Sequence, residues 1–129
     1  MSLLSFNHFN LCGDRALLDT LRAFYVDVVG LVEGERPPFK FFGYWLYLNK
    51  QPVLHLSEVA EGAQVGDTRA GSFDHVAFSC ADLAGFEARF KRLGVPYRRS
   101  QVPGASRVQL FVKDPSGNGV EFNFDNANA

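Results

Sequence analysis

Along much of this chain apolar and polar residues trade places at every position, and helical spacing interrupts the alternation twice. Residues 4–11 (LSFNHFNL) predict a strand with Phe6, His8 and Asn10 on one face and Asn7, Phe9 and Leu11 on the other. Asp14 is a helix N-cap, after which Leu17, Leu18, Leu21, Phe24, Tyr25 and Val28 recur at helical spacing until Gly30. Residues 31–34 predict a short strand, 41–48 (FFGYWLYL) a third and 53–59 (VLHLSEV) a fourth, with a turn at Asn49-Lys50-Gln51-Pro52. Residues 60–72 gather turn formers and charges and read as a linker.

Beyond the linker the pattern restarts. Residues 73–80 (FDHVAFSC) predict a strand, Asp82 caps a helix with the stripe Leu83, Phe86, Phe90 and Leu93, and Gly94 with Pro96 ends it. A short strand at 95–98 and two longer ones at 107–113 and 120–124 follow. The last two flank Asp114-Pro115-Ser116-Gly117-Asn118-Gly119, a dense cluster of turn residues. Both halves read β-α-β-β-β, as modules at about 4–59 and 73–124 within one domain of α+β class.

The repeat is visible in the residues themselves. Phe6-Asn7-His8 aligns with Phe73-Asp74-His75, and Leu54-His55-Leu56-Ser57 aligns with Val120-Glu121-Phe122-Asn123. His8, His55 and His75, the only histidines, and Glu121 therefore occupy equivalent positions, in the first and last strand of each half. Their predicted faces carry small or polar neighbours (Asn10, Ser57, Ala77, Ser79, Asn123), while the opposite faces are apolar and suit the two helices. A carboxylate amid Val120, Phe122 and Phe124 is costly unless something pairs with it. Three imidazoles and a carboxylate form a borderline N/O donor set for Zn, Ni, Co, Mn or Fe as divalent ions. The same parity puts Gln109 and Phe111 on the ligand side, and the repeat adds Trp45 and Tyr47 as walls of a substrate pocket.

Composition narrows the partners. With 13 basic and 14 acidic residues the net charge is −1, and nothing in it suggests a nucleic-acid or anionic-membrane partner. The opening MSLLSFNHF lacks a basic then apolar leader pattern, and the expectation is a cytoplasmic protein acting on a small molecule. Cys12 and Cys80 are too few for a disulfide scaffold and read as reduced thiols. Arg15, Arg36 and Arg107 are candidate anion holders, each with solvated charge as the plainer reading.

Three motifs carry a family resemblance: Phe24-Tyr25 with Asp27-Val28-Val29-Gly30-Leu31, then Phe73-Asp74-His75-Val76-Ala77-Phe78, then Asp114-Pro115-Ser116-Gly117-Asn118 with Val120-Glu121. Over residues 6–124 the chain resembles the vicinal oxygen chelate superfamily, the glyoxalase, bleomycin-resistance and extradiol-dioxygenase group. The resemblance implies two βαβββ modules with mixed sheets curled around a metal, ligated by His8, His55, His75 and Glu121, within one chain or across a homodimer. Four protein ligands leave two coordination positions, which suits a lyase or isomerase that moves a proton through an enediolate-like intermediate, with Glu121 as ligand and base. Alternatives in the same superfamily are an extradiol-type ring-cleaving dioxygenase, a thiol transferase and a drug-resistance binding protein. Glutathione-using members carry Arg and Asn where this chain has Cys12 and Val59, which argues against a lactoylglutathione substrate.

Overall fold

The structure, a computed structural model, describes residues 1–59, 72–102 and 106–125. The chain divides into two compact units, Met1–Gly66 and Asp67–Ala129. The expected linker lies outside the described residues except for Ser72.

In the first unit, β1 (Phe9–Gly13) leads to α1 (Arg15–Phe24), then β2 (Val32–Gly34), β3 (Gly43–Leu48) and β4 (Gln51–Glu58). The sheet order is β1-β4-β3-β2, with β1 parallel to β4 and the other pairs antiparallel. Asp14 caps α1 by accepting from the Leu17 N–H at 2.8 Å. The helix widens into a π-helical turn over Tyr25–Val29, whose register is closed by the Gly30 N–H on the Tyr25 carbonyl. Leu18, Leu21 and Tyr25 on the helix side and Leu46, Leu54 and Leu56 on the sheet side are all fully buried. Burying each of these side chains stabilises the unit by roughly 1.5–3 kcal/mol.

The second unit repeats the plan. β5 (His75–Ser79) leads to α2 (Leu83–Leu93), β6 (Arg98–Gln101), β7 (Arg107–Lys113) and β8 (Gly119–Asp125), in sheet order β5-β8-β7-β6. Phe90, Leu110, Phe122 and Phe124 are fully buried, and Phe86 lies between 5.3 and 5.4 Å from the Phe122 and Phe124 rings. The paired βαβββ modules are those expected, and α2 has its Asp82 cap, bonded to the Gly85 N–H.

Some boundaries differ from the sequence reading, each for a local reason. The first strand begins at Phe9, not residue 4, because β4 first pairs with β1 at Leu54; His8 sits just ahead of it. The β3–β4 turn is only Asn49-Lys50, both with positive φ, a tight hairpin turn whose twist matches the strands. Pro52 therefore falls inside β4. Its missing N–H is harmless there, since β1 pairing starts two residues later. The strand expected at 95–98 begins instead at Arg98, because its ladder with β7 starts at Phe111.

The β7–β8 turn is organised by Asp114, a carboxylate only 4% exposed. It accepts from the Ser116 and Asn118 backbone N–H groups, both at 2.9 Å, and from Asn118 Nδ2 at 3.0 Å. Its own N–H donates to the Asn118 carbonyl, and Gly117 takes the positive φ that the turn requires.

Two outcomes follow from this packing. Asp114→Ala removes charge-assisted bonds from a closed turn and should destabilise the protein by about 2–3 kcal/mol in urea unfolding, against less than about 0.5 for an exposed acid. Cys12 is exposed, whereas burial pushes the half-buried Cys80 thiol up to about 11. At pH 8 only about one Cys80 in a thousand is thiolate, so Ellman titration should read one fast thiol, abolished in Cys12→Ser, and one slow thiol. The slow phase should accelerate as pH rises towards 11.

Candidate metal centre

Each unit brings two of the four expected ligands together. In the second, β5 and β8 run parallel with Ala77 opposite Glu121, so His75 and Glu121 project from the same face two residues apart in register. His75 Nε2 lies 3.9 Å from Glu121 Oε1. Two donors at right angles on an ion with bonds near 2.1 Å sit about 3 Å apart, so a modest closing of this pair would clasp a metal.

The remaining atoms of both groups are already engaged. His75 Nδ1 donates to Asp74 Oδ2 at 2.8 Å, so that in the neutral ring the lone pair is on Nε2. Glu121, 8% exposed, accepts from Asn123 Nδ2 at 2.8 Å on Oε2, which leaves Oε1 facing His75. Asn123 is itself held by Gln109, whose Nε2 donates to Asn123 Oδ1 at 3.1 Å. The hydrogen bond to Asp74 raises the His75 pKa, with the Glu121 charge adding to it, and the same bond holds Asp74 below the ordinary carboxylate range. Gly119 allows the close β5–β8 approach: a Cβ there would lie 2.6 Å from the Asp74 carbonyl and 2.9 Å from His75 Cβ.

The first unit is arranged differently. His55, on β4, pairs with Trp45 on β3, and its ring is sandwiched between His8, centroid to centroid 3.8 Å, and Trp45, at 4.1 Å. His55 Nε2 donates to the Pro52 carbonyl at 3.1 Å, and His8 Nδ1 donates to Asn7 Oδ1 at 2.7 Å. Burial, followed by the charge of His8, lowers the His55 pKa. Near-parallel rings send their in-plane lone pairs along parallel planes, so this pair is a stack and does not converge on a point. His8 is exposed and lies outside β1, with no strand ladder to fix it.

The donor set, two imidazoles in one unit and an imidazole with a carboxylate in the other, has the chemistry of a divalent transition-metal site. Among the described residues no group of three or more His, Cys, Asp or Glu side chains gathers at one point; the four candidates stand as two pairs.

Trp45 and Tyr47 share the face that carries His55 and line a cavity of about 450 Å³ with Glu35, Arg36 and Pro37. Phe111 lies opposite Glu121 and lines a cavity of about 680 Å³ that also touches His75, Tyr97 and Arg98. Of the candidate anion-holding arginines, Arg15 pairs with Glu58 and Arg107 with Asp125, each at 2.8 Å. Sequence reasoning did not single out the supporting roles of Asp74 and Gly119. The first was signalled by an acid next to a strand histidine, and the second by a glycine opening the ligand strand.

No helix among the described residues is long and apolar enough to cross a membrane. A search of curated proteins finds no match. Among solved structures, a putative glyoxalase family protein from Bacillus anthracis aligns at 21% identity and TM-score 0.72, over 97% of this chain and 98% of its own. A lactoylglutathione lyase from Agrobacterium tumefaciens aligns at 23% identity and TM-score 0.66, over 95% of each chain. An antibiotic-binding protein from Streptomyces sp. CB03234 aligns at 19% identity and TM-score 0.69, over 97% of this chain and 98% of its own. At such identities they share the fold, two βαβββ modules. The family model that matches residues 5–122 covers most of the sequence, and on that match the chain belongs to the Glyoxalase/Bleomycin resistance protein/Dioxygenase superfamily.

Proposed function

We propose that the protein is a divalent-metal-dependent lyase or isomerase of glyoxalase type, acting on a small molecule with neighbouring oxygens. The observation that carries this reading is the second-unit pair, with His75 Nε2 and Glu121 Oε1 facing each other at 3.9 Å and their other atoms held by Asp74 and Asn123. His8 and His55 complete the ligand set, two residues from each unit, within one chain or from two copies. For His8 to serve as a ligand, its stack on His55 would have to open.

When bound, the ion supplies Lewis-acid stabilisation to negative charge developing on the substrate oxygens. Glu121 would take the proton from the hydroxyl-bearing carbon beside the carbonyl and return it to the carbonyl carbon, while the hydroxyl proton passes to the neighbouring oxygen, which leaves the enzyme unchanged after a turnover. Asn123, braced by Gln109, keeps Glu121 Oε2 occupied, so Oε1, the atom turned to His75, is the one that would release the metal to act as base. The burial of Glu121 limits the access of water that would compete for that proton.

One observation favours a second reading. His55 is locked by Trp45 and the Pro52 carbonyl, and as a wall rather than a ligand it would leave His8, His75 and Glu121, a two-His, one-carboxylate set with three open positions. That set suits an extradiol-type dioxygenase using Fe and O₂.

Metal analysis of protein purified without chelator separates the two. The lyase or isomerase reading expects near-stoichiometric Zn, Ni, Mn or Co, with affinity falling at least about tenfold in both His75→Ala and His55→Ala. Iron retained in His55→Ala, with O₂ uptake on catechols, selects the second reading. Activity that survives His75→Ala together with metal removal rules out both. Gly119→Ala should lower the urea unfolding midpoint and weaken metal affinity by about tenfold, because the added methyl meets the Asp74 backbone carbonyl as well as His75 Cβ and pushes β5 away from β8.

A further inference from the structure

The cavity of about 450 Å³ beside Trp45 lies wholly within the first unit and has the chemistry of a carboxylate pocket. Its cation is Arg36. The guanidinium rests on the ligand-bearing face of the sheet: a Cβ on Gly43 would lie 3.0 Å from one Arg36 terminal nitrogen and 3.1 Å from its Nε. Gly43 is opposite Ser57, and Trp45 is opposite His55, so Arg36 stands one step along the same face from the candidate ligand. Phe39 and Phe41 hold it, with ring centroids 5.0 and 4.8 Å from the guanidinium carbon, and it donates to the Phe41 carbonyl at 2.9 Å.

Arg36 differs from the paired arginines. Arg15, Arg22, Arg99 and Arg107 each contact a carboxylate, whereas among the described residues Arg36 has none. One backbone carbonyl uses one of five N–H donors, so a planar fork remains for an incoming anion. The other walls are the Trp45 indole, the Pro37 ring, the Tyr47 phenol, whose hydroxyl is taken up by the Glu35 carbonyl at 2.6 Å, and Glu35 itself, whose carboxylate makes no ion pair with Arg36 among the described residues. A guanidinium pinned by two phenyl rings, in a cavity shared with an indole, suits an anionic group carried on a flat aromatic or conjugated body.

We propose that this pocket binds the carboxylate end of a planar, aromatic or conjugated acid, through Arg36 with Trp45 as the stacking wall. The inference deepens the reading above by naming its substrate class, and it rests on that reading only for the reaction, not for the binding. Trp45 is the only tryptophan in the chain, so its fluorescence reports on this pocket without any metal present.

The test is a fluorescence titration of chelator-treated protein with benzoate and with the neutral isostere benzamide, repeated on Arg36→Gln and Arg36→Lys. Benzoate should bind at least about tenfold more tightly than benzamide, the scale of one charge-assisted pair. The preference should fall to within about twofold in Arg36→Gln, and Arg36→Lys should restore part of it. Equal affinity for the two probes in the native protein, no quenching by either, or a preference untouched by Arg36→Gln each overturns the proposal. Because no metal enters the assay, a protein that binds no metal yet prefers benzoate through Arg36 refutes the metalloenzyme reading and leaves the pocket standing.

Discussion

A carboxylate in the middle of an apolar inner strand sets the terms for the second unit. Glu121 lies between Val120 and Phe122, on a strand paired on both sides, and is itself almost out of solvent. Left alone it would cost several kcal/mol as a buried charge. Asn123 and the facing His75 reduce that cost, and each needs something further to be in place: Gln109 behind Asn123, Asp74 behind His75, and a bare backbone at Gly119 between the strands. Remove any of these and Glu121 is misdirected before it is unpaired.

The first unit meets the same topology with a different solution. Its inner strand carries an imidazole where the second carries the carboxylate, and an imidazole can be made comfortable by stacking. The result is a layered arrangement of His8, His55 and Trp45 whose cohesion is dispersive and directional, not ionic. One half is thus a polar clasp and the other a column of rings. A repeat in topology does not require a repeat in physics.

Much of the architecture could be read from the chain because alternation and helical spacing are properties of adjacent residues. Asp14 and Asp82 announced both helices, and the histidine spacing and the Glu121 position exposed the repeat. What stayed hidden depended on residues that meet only after pairing. The first strand starts at Phe9 because that is where β4 begins to match it, a fact no local pattern contains. The hydrogen bond from His75 to Asp74 is between neighbours, but its importance comes from Glu121, 46 positions away in the chain, on the far side of a parallel pairing. The His8–His55 stack was equally unreadable, since shared parity says that two rings lie on one face and nothing about how they tilt.

The Asp114 turn fixes the offset between β7 and β8 and therefore which residues of β8 look each way. Because strand side chains alternate, one residue gained or lost in Pro115–Asn118 would carry Glu121 to the helix side and Phe122 to the other. The Glu35–Phe42 segment has no such hold on β4, whose register with β3 is set at the far end by Asn49-Lys50. Over evolutionary drift the two loops should therefore diverge in character: the first closed to insertions and deletions, the second free to change length and with it what the protein accepts.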